Sequence, residues 1–197
     1  MKSDVIRVTS DGGGVSKAIE QAEAVAAFKG LSKKDALHLR LLAEEALGML
    51  QAISGGCTAD FWIEDEKEFT TVHLKSMLGV TSELRDALMS VSTTGKNIAA
   101  KGIMGKIREA FERAMEPSDA EAESVVSPDI LYPNVDTVSA GVTAGYIWSL
   151  TSYRTEVKDA PKEDWDELER SIVANIADEI EVGVREGSAE LVIYKKF

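Results

Sequence analysis

The segment from Asp35 to Ile53, DALHLRLLAEEALGMLQAI, constrains the fold more than any other stretch of this chain. Leu39, Leu42, Ala43, Ala46, Leu50 and Ile53 recur at the i, i+3, i+4, i+7 spacing of a single helical face. Such a stripe must be covered by another layer of structure, and the rest of the chain has to supply that layer. At about 100° per residue, His38, Glu45, Met49 and Ala52 fall on the flank of the stripe. Glu45 is therefore expected at the edge of the core, where a pocket could open beside it. Ser32 offers a hydroxyl to the free amides of the first turn, and Asp35 follows at capping-box spacing.

The elements on either side follow from periodicity. Val5 to Thr9 is short and β-branched and reads as a strand. Gly12, Gly13 and Gly14 then break the chain before a helix running to about Phe28, with Val15, Ala18, Ile19, Ala22, Val25 and Ala26 on its apolar face. A glycine triplet between strand and helix can cradle a phosphate, but this one lacks the lysine–hydroxyl ending of a P-loop and reads as a flexible connection. After Gly56 the period becomes two: Ala59, Phe61 and Ile63 alternate with Asp60, Trp62 and Glu64, and Phe69 to Ser76 completes a hairpin. Thr81 to Val91 and Gly102 to Met115 have helical spacing, separated by a polar loop. Glu116 to Asp129 is acidic, contains two prolines and reads as an exposed linker.

From Thr137 to Val157 the pattern fits strand and helix equally; a helix is expected in the second half. Pro161 suits the first position of another helix, with Trp165, Leu168, Ile172 and Ile176 as its buried stripe. Ile180, Val182, Val184 and Leu191 to Phe197 read as a closing hairpin. This order predicts an α+β fold: a two-layer α/β sandwich whose mostly antiparallel sheet is covered by helices on one face. Residues 1–197 are expected to form a single domain, with an added segment at about 117–178.

The net charge of −12 repels phosphate backbones and anionic lipid, so nucleic acid and membrane surfaces are not expected as partners. A basic protein surface or a cationic ligand fits that charge better. Cys57 is the only cysteine, which excludes an intrachain disulfide and suits a reducing cytoplasm. His38 and His73 have no ligand-like spacing and read as structural residues, so no metal site is expected from them. Trp62, Trp148 and Trp165 read as core anchors.

The stretch LHLRLLAEEALGMLQAI resembles the first box of the histidine-kinase-like ATPases, and most of all that of the bacterial anti-sigma-factor serine kinases, where a glutamate sits four residues ahead of an asparagine. Glu45 matches the glutamate, and Met49 occupies the asparagine position. VTSELRDALMSVSTTGKNIAAKGIMGKIRE resembles that family's ATP lid and the glycine-rich start of the next helix, with Gly102 and Gly105 in the box and Lys96 and Lys106 nearby. LKSMLGV stands where the adenine-binding aspartate and glycines belong. Gly79 is retained there, and Lys75 stands at the aspartate position. The resemblance covers about residues 5–116 and the last hairpin.

Each departure removes a definite contact. In that family the asparagine oxygen holds magnesium, and a thioether is a poor ligand for a hard cation. The aspartate accepts from the adenine amino group, and a lysine has only donors. The resemblance therefore implies a non-catalytic regulatory module that binds a protein partner, with ATP binding weak or lost and no cofactor. The alternative is an active ATP- and magnesium-dependent serine kinase with Glu45 as general base. The resembling kinases pair, so a homodimer is also implied.

Overall fold

The computed structural model describes residues 1–53, 56–66, 68–76, 102–115, 145–158, 171–185 and 188–197. The helix expected over Thr81 to Val91, the loop after it, the acidic linker and the opening of the Pro161 helix lie outside them, as do Gly79, Lys96, Trp165 and Leu168.

The chain begins with strand β1 (Ile6–Thr9), then helices α1 (Val15–Phe28) and α2 (Lys33–Gln51), and a hairpin of β2 (Thr58–Asp65) and β3 (Thr70–Ser76). Helix α3 (Gly102–Met115) follows, then β4 (Gly145–Ser149), α4 (Leu150–Val157), α5 (Ile172–Ile176) and the last two strands, β5 (Glu179–Arg185) and β6 (Ser188–Lys195). The strands form one six-stranded sheet in the order β1-β2-β3-β6-β5-β4, and each neighbouring pair is antiparallel. The fold is an α+β sandwich.

Alternation along the strands divides residues between the two faces of the sheet. Phe61, Ile63, Val72, Leu74, Ile180, Val182, Leu191 and Ile193 join the helices in a single apolar cluster. The helical contribution comes from Ala18, Ala22 and Val25 of α1, the stripe of α2, and Ile103, Ile107 and Phe111 of α3. All six residues assigned to the α2 stripe are buried. The Ser32 hydroxyl accepts from the Asp35 amide at 3.2 Å, as the capping spacing implies.

Gly48 lies on the exposed side of the last turn of α2, and a Cβ there would meet nothing within 4 Å. Gly48→Ala is therefore expected to stabilise the protein by about 0.5–1 kcal/mol, because alanine loses less backbone freedom on folding. A urea unfolding midpoint that moves upward is the check.

Two expectations are corrected, and one ambiguous segment is resolved. The glycine triplet is a defined turn, not a flexible connection: Thr9 N–H donates to the Gly13 carbonyl at 2.9 Å and Gly12 N–H to the Thr9 carbonyl at 3.0 Å. In the ambiguous segment the helix expected in the second half is Leu150–Val157, and Gly145–Ser149 before it is strand. Ser149 is extended, and its hydroxyl accepts from Ser152 N–H at 3.1 Å, so strand passes directly into capped helix. Finally, Ile172 is 53 % exposed instead of buried. Ser171 is extended and caps the short helix α5, which turns Val173 and Ala174 inward in its place.

Candidate functional site

Glu45 and Met49 lie on successive turns of α2, but their surroundings differ. Glu45 is half-buried, as its flank position predicts. Met49 is only 4 % exposed and belongs to the main apolar cluster. It is therefore core, not rim, and its thioether is enclosed by hydrocarbon.

Helix α3 supplies the next group. Gly102 is its first residue, Gly105 is buried and Lys106 is exposed. The helix approaches the end of α2, where the Arg108 guanidinium donates to the Ala52 carbonyl at 3.5 Å. Glu45, Met49, Gly105 and Lys106 thus occupy the same helical layer.

Lys75 does not join them. In the β2–β3 register Phe61 faces Leu74, and both point into the core; Asp60 faces Lys75 one residue on, so both point to the opposite face. The sheet itself separates Met49 from Lys75. The two residues taken as remnants of one nucleotide pocket line no common hollow. The aligned positions are one residue out of phase with the strand: Ser76 is on the helix side, and its hydroxyl exchanges hydrogen bonds with the Ala189 carbonyl and amide at 3.1 and 3.0 Å.

The face bearing Lys75 carries a polar constellation that the sequence did not announce. His73 is 7 % exposed, with Nδ1 3.0 Å from a Glu190 oxygen and Nε2 2.9 Å from the Thr71 hydroxyl. Its ring stacks on Trp62, with centroids 4.7 Å apart and planes 8° from parallel. Trp62 is a buried anchor, but on this second face and outside the main cluster. Its indole N–H donates to Glu64 at 2.7 Å, and Lys2 pairs with the same carboxylate at 2.9 Å. Burial pushes the Glu64 pKa up. Lys2, the Trp62 indole and the His73 ring together outweigh that and hold it below the usual carboxylate range. The only sequence signal was cross-strand: His73, Glu190 and Thr71 are polar residues on strands that neighbour each other only in the finished sheet.

The β2–β3 hairpin end is pinned by Lys29, whose ammonium lies 2.5 Å from Asp65 and 2.6 Å from the Thr70 hydroxyl. The hydrogen bond from Lys29 holds the Asp65 carboxyl below its ordinary pKa. A carboxyl depressed by folding adds stability above its unfolded pKa and loses it as pH falls through the folded value. Lys29→Met is therefore expected to destabilise the protein at neutral pH and to do so less below about pH 4. Urea titrations at stepped pH would show the two curves converging in acid.

Cys57 is half-buried, and burial pushes its thiol upward, which makes it a poor nucleophile at neutral pH. No protein-family model, no curated protein and no solved structure matches this chain. No helix among the described residues is long and apolar enough to cross a membrane. The magnesium–ATP group implied by the resembling kinases does not fit the residues at the aligned positions. Met49 offers a soft, enclosed sulfur where a hard cation needs oxygen. Lys75 lies on the other face of the sheet from Met49 and can share no bound group with it.

Proposed function

We propose that the chain is a non-catalytic, regulatory protein-binding module built on the scaffold of the anti-sigma-factor serine kinases, with ATP binding weak or lost. The observation that carries this reading is the burial of Met49 in the apolar cluster, at the position where those kinases place their magnesium-holding asparagine. An antiparallel sheet with helices on one face agrees with that scaffold.

Isothermal titration of the pure protein with ATP and magnesium tests the proposal. Silence at about 1 mM nucleotide, equivalent to less than ~4 kcal/mol of binding, is the expected result. Micromolar affinity would overturn it and favour a serine kinase in which half-buried Glu45 acts as base.

A further inference from the structure

Helix α2 turns one side to the core and the other to solvent. At about 100° per residue, Leu37 and Leu41 lie opposite Leu39, Leu42, Ala46 and Leu50. Leu37 is 53 % exposed, and Leu41 is half-buried and outside the main apolar cluster. A lone leucine on a surface carries no weight. This pair forms a short ridge at i, i+4, and the charges around it are ordered.

Lys33 and Lys34 lie about one turn before Leu37, and Glu44 and Glu45 about one turn after Leu41. All four share the outer arc of the helix with the leucines. Both lysines are exposed and have no ion-pair partner among the described residues. They also occupy the first turn of α2, where the helix dipole disfavours cations. Glu44 is held in place by Arg40 at 2.8 Å, and Arg40 also reaches Glu23 of α1 at 2.7 Å. The order Lys-Lys, Leu, Leu, Glu-Glu is therefore symmetric in position and opposite in charge about the level of Leu39.

Such a face complements itself. Turned end for end beside a second copy, α2 sets Leu37 against the partner's Leu41, and the two-fold axis supplies the reciprocal contact. The same arrangement brings Lys33 and Lys34 to the partner's Glu44 and Glu45. Lys33 and Glu44 flank one side of the leucine ridge and Lys34 and Glu45 the other, so each cation meets an anion on its own side. A parallel pairing would set lysine on lysine and glutamate on glutamate.

We propose that α2 pairs antiparallel with α2 of a second copy of this chain, through Leu37 and Leu41, with Lys33 and Lys34 against Glu44 and Glu45. The contact extends over about 18 Å of helix. One helix on one helix falls at the low end of specific interfaces, below about 1,200 Å² in total, so the dimer is weak, with a Kd on the order of 100 µM. The pairing needs neither a regulatory role nor the loss of ATP, so nucleotide binding in the calorimeter would leave it standing.

Sedimentation velocity of the full chain from about 5 to 500 µM tests the pairing, and the expected result is a shift from monomer to dimer across that range. The double variants Lys33→Glu, Lys34→Glu and Glu44→Lys, Glu45→Lys each set like charges across the contact. Each should associate at least about tenfold more weakly, with a circular dichroism spectrum like the parent's. An equimolar mixture of the two variants restores cation against anion at both ends and should dimerise again, which damage to either fold would not produce. Leu37→Gln, at an exposed position, should weaken association about tenfold and leave the monomer's melting temperature unchanged. A monomer at every concentration, a dimer indifferent to the charge reversals, or a mixture that stays monomeric would each overturn the proposal.

Discussion

Gly14→Ala is expected to destabilise the protein by about 3–5 kcal/mol, whereas Gly30→Ala should cost only about 1 kcal/mol. Both glycines hold left-handed backbone, at φ +77° and +65°, so the conformational penalty of an L side chain is common to the two. Their surroundings differ. A Cβ on Gly30 would meet nothing within 4 Å, while one on Gly14 would sit 2.2 Å from the Arg7 carbonyl oxygen and 3.3 Å from a Val8 methyl. Val8 is fully buried and the Arg7 carbonyl is strand backbone, so neither can retreat cheaply. Thermal unfolding reads the contrast: for a chain of this size the Gly14 variant should melt roughly 6–20 °C lower and the Gly30 variant roughly 2–4 °C lower. Equal shifts would show that the strand–turn–helix junction is looser than described.

Met49→Asn is expected to cost about 2–4 kcal/mol without creating a magnesium-dependent nucleotide site. The substitution installs the residue that the resembling kinases use, at a position that is 4 % exposed and enclosed by apolar side chains. The amide would lose its hydration, and the apolar cluster offers little to replace it. The apolar contacts of methionine would be lost as well. Met49→Leu, which keeps volume and polarity, should cost less than about 1.5 kcal/mol and isolates the polar term. Chemical denaturation compares the pair, and calorimetry with ATP and magnesium on the Asn variant completes the test. An Asn variant as stable as the parent, and newly able to bind nucleotide with magnesium, would mean that a solvated pocket reaches this turn of α2.

Helical and strand periods survived into the structure wherever one face of an element meets the core. The α2 stripe, the Ala59–Phe61–Ile63 alternation and the Ile103–Ile107–Phe111 spacing all placed their apolar residues inward. Met49 was misjudged because angle alone puts it on the flank. The covering provided by neighbouring elements widened the buried arc by one position, which no single-helix pattern records. Lys75 was misplaced by one residue. In a strand that error carries a side chain through the sheet, so a match that counts positions without counting faces fails completely there. Ile172 was misread because Ser171, a capping residue, starts a helix there and so sets the inward angle. The His73–Glu190 contact was not legible at all: the residues are 117 apart and share no motif, only diagonal positions on adjacent strands.

The sheet order bears on how the molecule comes to exist. β6 follows the other five described strands in sequence, yet it lies between β3 and β5, pairing Thr70 with Lys195 and Val72 with Ile193. During synthesis the β1–β2–β3 half emerges early with an unsatisfied border of amides and carbonyls along β3. The strand that satisfies it is made long after β3, and closing so long a loop is slow. A nascent chain halted before Ser188 would therefore carry two part-sheets with nothing between them, a natural client for chaperones or proteases.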